Sequence, residues 1–153
     1  MTSAICAEKM DHVALMVSDL EGSFHFYHEV LDLEKVEYYE EPNVQGLSQA
    51  MRQSDVQLKM YIMAAPGNPE MTLHLSQLAN PVSPTGRPAI HHVPSAHICF
   101  TVKEMAAKYE ALKTQGVEFV SPPVAWPAEQ GRWTLCFLYD PDGNLVELVE
   151  PKA

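Results

Sequence analysis

The stretch His12-Val13-Ala14-Leu15-Met16-Val17 decides the fold, because the chain writes it again as His97-Ile98-Cys99-Phe100-Thr101-Val102. An offset of 85 residues lays His12 on His97, Val13 on Ile98, Leu15 on Phe100 and Val17 on Val102. The same offset carries Asp19 onto Glu104, Leu20 onto Met105 and Phe24 onto Tyr109. Self-similarity of this kind marks a duplicated supersecondary unit. In both stretches large apolar residues take alternate places, the period of a strand with one buried face. Val13, Leu15 and Val17 therefore face a helix. His12, Ala14 and Met16 line the other side, and Cys99 shares the face of His97.

Outward from each strand the pattern changes to a helix. Ser18 with Glu21 fits a capping box, and Phe24, Tyr27 and Leu31 follow at helical spacing. In the second copy a helix spans about 104–115, with Met105, Tyr109 and Leu112 as its apolar stripe and Gly116 as its stop. Strands are expected at 35–39, 57–63 and 72–75 in the first copy, and at 118–120, 132–139 and 145–149 in the second. Asp140-Pro141-Asp142-Gly143-Asn144 is a turn between the last two, since aspartate before proline and before glycine favours tight reversals. The expected fold is α+β: two tandem β-α-β-β-β modules forming a curved mixed sheet with a metal cleft. Module one covers about 9–78, module two about 95–151. A linker holding Pro81, Pro84, Pro88 and Pro94 joins them over about 79–94.

Composition narrows the function. Of 153 residues, 46% are hydrophobic and 20% charged, a profile that packs a core rather than staying disordered. The formal net charge of -10 repels phosphate backbones and anionic lipid, so nucleic acid and membrane surfaces are not expected partners. No apolar run approaches the roughly 18 residues that span a bilayer. No basic segment leads into an apolar one near Met1, so no secretory signal is expected. Cys6, Cys99 and Cys136 are odd in number and widely spaced. They read as free thiols of a reducing compartment, the cytoplasm, rather than a disulfide framework.

Four residues with metal-ligand chemistry fall at matching strand positions. His12 and His97 open the first strand of each copy. His74 lies in the last strand of copy one as Leu73-His74-Leu75, and Glu147 in the last strand of copy two as Val146-Glu147-Leu148. Related by a two-fold, they would converge on one point. Imidazole and carboxylate suit zinc, nickel, manganese or ferrous iron, and the lack of thiolate disfavours a purely structural zinc. An inward carboxylate between two apolar neighbours is costly unless it meets a cation. Such a centre keeps a net positive charge and accepts two neighbouring substrate oxygens, stabilising an oxyanion as it forms.

The phrase 11–17, the four ligand positions and the terminal phrase Asp140-Pro141-Asp142-Gly143-Asn144-Leu145-Val146-Glu147-Leu148 resemble the vicinal oxygen chelate superfamily of glyoxalase I, bleomycin resistance proteins and extradiol dioxygenases. The resemblance covers nearly the whole chain. It implies one divalent metal ion held by His12, His74, His97 and Glu147, a small-molecule substrate and a homodimer. Glyoxalase I has glutamate, and methylmalonyl-CoA epimerase glutamine, where this chain has His74. The resemblance implies a metal-dependent lyase or isomerase acting on vicinal oxygens through an enolate or enediolate. Its catalytic residues would be Glu147 and His74, since a histidine at this place moves a proton at neutral pH. The competing readings are a ring-cleaving dioxygenase using two histidines and a glutamate, and a metal-free binding protein.

Other residues have plainer readings. His25 and His28 read as a solvated helix face, and His91 and His92 as loop residues. Cys99 reads as a small buried hydrophobe, and Met60 and Met63 as core. Arg132 is the arginine best placed to hold a substrate carboxylate, with Trp126 and Trp133 as possible pocket walls. No phosphate loop or nucleophile elbow is present.

Overall fold

The structure, a computed structural model, describes residues 9–82, 84, 86, 96–127 and 131–152. His91, His92, Arg87 and Cys6 lie outside the described residues. The chain divides into two compact units, Met1–Pro84 and Thr85–Ala153.

In the first unit β1 (His12–Met16) leads into α1 (Leu20–His25), which continues as a π-helical turn over Phe26–Val30. Then come β2 (Glu34–Glu41), α2 (Gln45–Met51), β3 (Gln57–Ala65) and β4 (Asn68–Asn80). The sheet order is β1-β4-β3-β2, with β1 parallel to β4 and the other pairs antiparallel. The second unit holds β5 (His97–Thr101), α3 (Met105–Thr114), β6 (Val124–Trp126), β7 (Trp133–Tyr139) and β8 (Leu145–Pro151). Its order is β5-β8-β7-β6, again with only the first pair parallel. Each unit is thus a β-α-β-β-β module with a four-stranded mixed sheet.

The repeat holds in detail. β1 and β5 alternate exposed and half-buried residues in the same phase. Val17 N–H donates to the Ser76 carbonyl at 2.9 Å, and Val102 N–H to that of Val149 at 2.8 Å. Asp19 and Glu104 are both helix N-caps, and the next residues, Leu20 and Met105, are both buried. On α3, Met105, Tyr109 and Leu112 are the buried stripe, and Cys136, Leu138, Val146 and Leu148 of the sheet are buried as well. Cys136 Sγ lies 3.6 Å from Met105 Sδ. Gly116, at φ +88°, ends the helix in a conformation that favours glycine.

Several details depart from expectation. The N-cap of α1 is Asp19 rather than Ser18, with no side-chain cap bond of its own, and the Glu21 carboxylate accepts from Tyr61 Oη at 3.0 Å. The π turn shifts the helix face, so Phe26 and Tyr27 are buried while Phe24 and Leu31 are only half-buried. β4 runs two residues past the expected module edge, through Ala79 and Asn80. Of the strand expected at 118–120, only Phe119 forms a bridge, to Leu138. α2 was not expected. Its Leu47 packs with Val44, Tyr39 and Met60 against Val56, Leu58 and Leu78, a second cluster that supports the helix from outside its own sequence. Met63 is fully buried, as its core reading required.

Asp140 shapes the turn into β8. It is buried, and its Oδ1 accepts from Asp142 N–H at 3.0 Å and Asn144 N–H at 2.7 Å. Its Oδ2 accepts from Asn144 Nδ2 at 2.9 Å. Gly143 supplies the positive φ, +84°, that the reversal needs.

Candidate metal centre

Strand register places the four candidate donors in two equivalent pairs. Along β1 and β4, His12 stands opposite Thr72 and Ala14 opposite His74. Along β5 and β8, His97 stands opposite Leu145 and Cys99 opposite Glu147. In each unit the second donor therefore lies two residues beyond the partner of the first. Side chains two apart on a strand share a face, so each pair meets diagonally on one side of its sheet. The central neighbours match too: Ile62 stands opposite His74, and Phe137 opposite Glu147.

In the first unit the His12 and His74 rings stack, with centroids 4.0 Å apart and planes 5° from parallel. His12 Nδ1 is 3.0 Å from Asp11 Oδ2, and the other Asp11 oxygen is 3.1 Å from Lys9 Nζ. His74 Nε2 is 3.1 Å from Thr72 Oγ1. Burial, and then the neighbouring His12, hold the His74 pKa below its ordinary value, with Asp11 opposing in part. Both effects favour the neutral ring. Asp11 and Thr72, the hydrogen-bond partners of the two rings, also line an open hollow of about 600 Å³ beside them.

In the second unit His97 Nε2 lies 3.0 Å from Glu147 Oε2. The Glu147 side chain is only 14% exposed, between the buried Val146 and Leu148. Its inward carboxylate is partnered by His97, whose ring also meets Phe137 edge-on at 5.4 Å. Cys99 is exposed rather than buried, because its strand position puts it on the face of His97. Partial burial, and then the charge of Glu147 and a hydrogen bond to it, push the Cys99 thiol up to about 11.

Among the described residues no three histidine, cysteine, aspartate or glutamate side chains gather at one point; the donors stand as one pair in each unit. Each pair fits a divalent ion by its chemistry. A carboxylate has no proton to give when ionised, so Asp11 accepts from the His12 Nδ1–H and leaves the Nε2 lone pair free for a metal. Glu147 offers an oxygen beside an imidazole nitrogen. The sequence reading assigned no role to Asp11 or Thr72. Their signal is positional: Asp11 immediately precedes a strand-opening histidine, and Thr72 shares the face of His74 two residues earlier.

The remaining sequence candidates lie elsewhere. His25 is exposed, and His28 is partly exposed while its Nδ1 donates to the Leu33 carbonyl at 2.7 Å and its ring stacks on Phe24. It secures the exit from the π turn. Trp126 and Trp133 pair across β6 and β7, and both are exposed. Arg132 is exposed just before β7, its carbonyl accepting from Lys152 N–H at 2.8 Å.

Comparison with known proteins agrees with this architecture. The profile of the Glyoxalase/Bleomycin resistance protein/Dioxygenase superfamily matches residues 9–148. A lactoylglutathione lyase of Pseudomonas aeruginosa is 41% identical over 54 residues, which are 35% of this chain and 28% of that protein. The matched stretch is thus under a third of that relative's length. A glyoxalase family protein from Bacillus cereus superposes with a TM-score of 0.86 at 17% identity, covering 100% of both chains. A trypanothione-dependent glyoxalase I of Leishmania major gives 0.66 at 18% identity, over 94% of this chain and 87% of that one. A superfamily member from Sphaerobacter thermophilus gives 0.65 at 24% identity, over 94% and 98%. At these identities the structural likenesses concern the fold alone.

Proposed function

The chain belongs to the glyoxalase/bleomycin resistance protein/dioxygenase superfamily, and on that premise we propose that it is a metal-dependent lyase or isomerase. Its substrate is a small molecule with vicinal oxygens, such as a 2-hydroxy or 2-oxo carbonyl compound. The observation that carries the reading is the shared register of the two parallel strand pairs. That register gives His12 with His74, and His97 with Glu147, equivalent places in two copies of one module.

His12, His74, His97 and Glu147 would together hold the ion. A zinc, nickel, manganese or iron ion there would polarise the two substrate oxygens and offset negative charge on them. The chain's own contribution is proton movement. Glu147, with a carboxylate oxygen turned toward His97, takes a proton from the carbon next to a carbonyl and returns it to the adjacent carbon. His74 is the second candidate for that base, because burial favours its neutral ring, the form able to accept. The hollow beside Asp11 and Thr72 gives a small molecule room to approach the histidine pair.

The partial likeness to a lactoylglutathione lyase makes lactoylglutathione the first compound to try. A homodimer in the cytoplasm belongs to the same proposal; no helix among the described residues is long and apolar enough to cross a membrane. The test is exchange of carbon-bound hydrogen in heavy water. Protein loaded in turn with each ion is given lactoylglutathione and other 2-hydroxy carbonyl compounds. Exchange that disappears in Glu147→Gln supports the reading. Equal exchange in that variant removes Glu147 as the base, and no exchange with any ion or substrate contradicts the function.

A further inference from the structure

The two strand-opening histidines are equivalent in register but not in their surroundings. His12 is preceded by Asp11, whose Oδ2 lies 3.0 Å from Nδ1. His97 is preceded by Ala96, and its contact to Glu147 runs through Nε2. We infer that Asp11 is a positioning residue that fixes the His12 tautomer and ring angle, preorganising the first module's His12–His74 pair toward a metal ion. This rests on the metal reading above.

The argument is one of hydrogen-bond capacity. An ionised carboxylate only accepts, so the shared proton sits on Nδ1 and the lone pair on Nε2. An unconstrained neutral imidazole favours the opposite tautomer, with Nε2 protonated and unable to ligate. Lys9 Nζ lies 3.1 Å from the other Asp11 oxygen, so the carboxylate accepts from a cation on one side and from the imidazole on the other. The His74 ring, stacked flat on His12 at 4.0 Å, restricts rotation from the other side. A ligand histidine backed by a carboxylate is both better oriented and more basic toward a metal.

The test compares wild type, Asp11→Ala and Asp11→Asn in the whole chain. The tautomer of His12 is read from long-range proton–nitrogen correlation spectra without metal. Zinc affinity is then measured by competition with a coloured chelator. Wild type is expected to carry the proton on Nδ1. Asp11→Ala should move it to Nε2 and weaken zinc by about 10–100-fold, the usual cost of losing such a partner. Asp11→Asn keeps an accepting carbonyl and should hold the tautomer and recover part of the affinity. Unchanged zinc affinity in Asp11→Ala overturns the inference while leaving the metal reading intact. Weaker zinc with an unmoved proton overturns it as well, since the effect would then be one of charge alone. A wild type that binds no zinc removes the metal reading for that ion and this inference with it.

Discussion

His12 and His74 stack face to face, 4.0 Å between ring centroids, because β1 runs parallel to β4 with Ala14 opposite His74. Two imidazoles brought this close on adjacent strands make a ready pair of nitrogen donors. His74→Ala should therefore weaken zinc binding by more than the roughly 10–100-fold typical of a lost outer partner. His12→Ala should do the same. Both rings are at least partly exposed, so circular dichroism should show the fold unchanged. Full zinc affinity in either variant would exclude that residue as a ligand.

Asp140 organises the turn that aims β8, and with it Glu147. Its carboxylate is buried and accepts three hydrogen bonds from Asp142 and Asn144. Asp140→Ala leaves those donors without their charged acceptor and should cost about 2–4 kcal/mol in urea unfolding. A loss below about 0.5 kcal/mol, the range of an ordinary surface change, would mean the turn holds without it.

The second core can be probed at Leu138, which is fully buried in β7. Leu138→Ala should cost about 2–5 kcal/mol through lost transfer energy and a residual cavity. Met10→Ala, at an exposed site, should change stability by less than about 0.5 kcal/mol. Comparable losses at the two sites would contradict the burial described.

Cys136 ties stability to pH. Burial, and then the Glu147 charge, push its thiol up from 9.0 to about 11. The folded state therefore binds this proton more tightly than the unfolded chain does. The resulting stability is fully present below about pH 9 and is lost as pH rises toward about 11. Wild type should lose stability over that window more steeply than Cys136→Ala, as followed by urea midpoints. Parallel curves would contradict the shift. At neutral pH iodoacetamide should label both Cys99 and Cys136 far more slowly in the native protein than after unfolding, because the raised thiols leave little thiolate to react.

Much of the fold was legible because it depends on local periodicity. The alternating strands around His12 and His97, the stripe Met105, Tyr109 and Leu112, and the Asp140 turn all carry their signal within a few residues. α2 does not. Gln45-Gly46-Leu47-Ser48-Gln49-Ala50-Met51 has helical spacing only in Leu47, Ala50 and Met51, too short a pattern to mark a helix, and Leu47 is held by Val56, Leu58 and Leu78 from elsewhere in the chain. β6 is three residues long and hemmed by Pro122, Pro123 and Pro127, so only its pairing with β7 defines it. At the site, the residue types and the repeat pointed to four donors in equivalent positions, and the register agrees with that equivalence. Asp11 and Thr72 escaped notice because a hydrogen bond to a particular ring nitrogen leaves no trace in hydrophobic patterning. Cys99 is exposed although its type favours burial, because its phase on β5 places it on the face of His97.

The most direct test of the proposed metal centre is the elemental content of the protein purified without an affinity tag or chelator. About one divalent ion per chain is predicted for a centre built from His12, His74, His97 and Glu147. Zinc, nickel or manganese would fit the lyase or isomerase; iron would turn attention to catechols and oxygen. A protein that carries no metal, and takes up none when soaked with each ion in turn, would contradict the centre and the chemistry proposed for it.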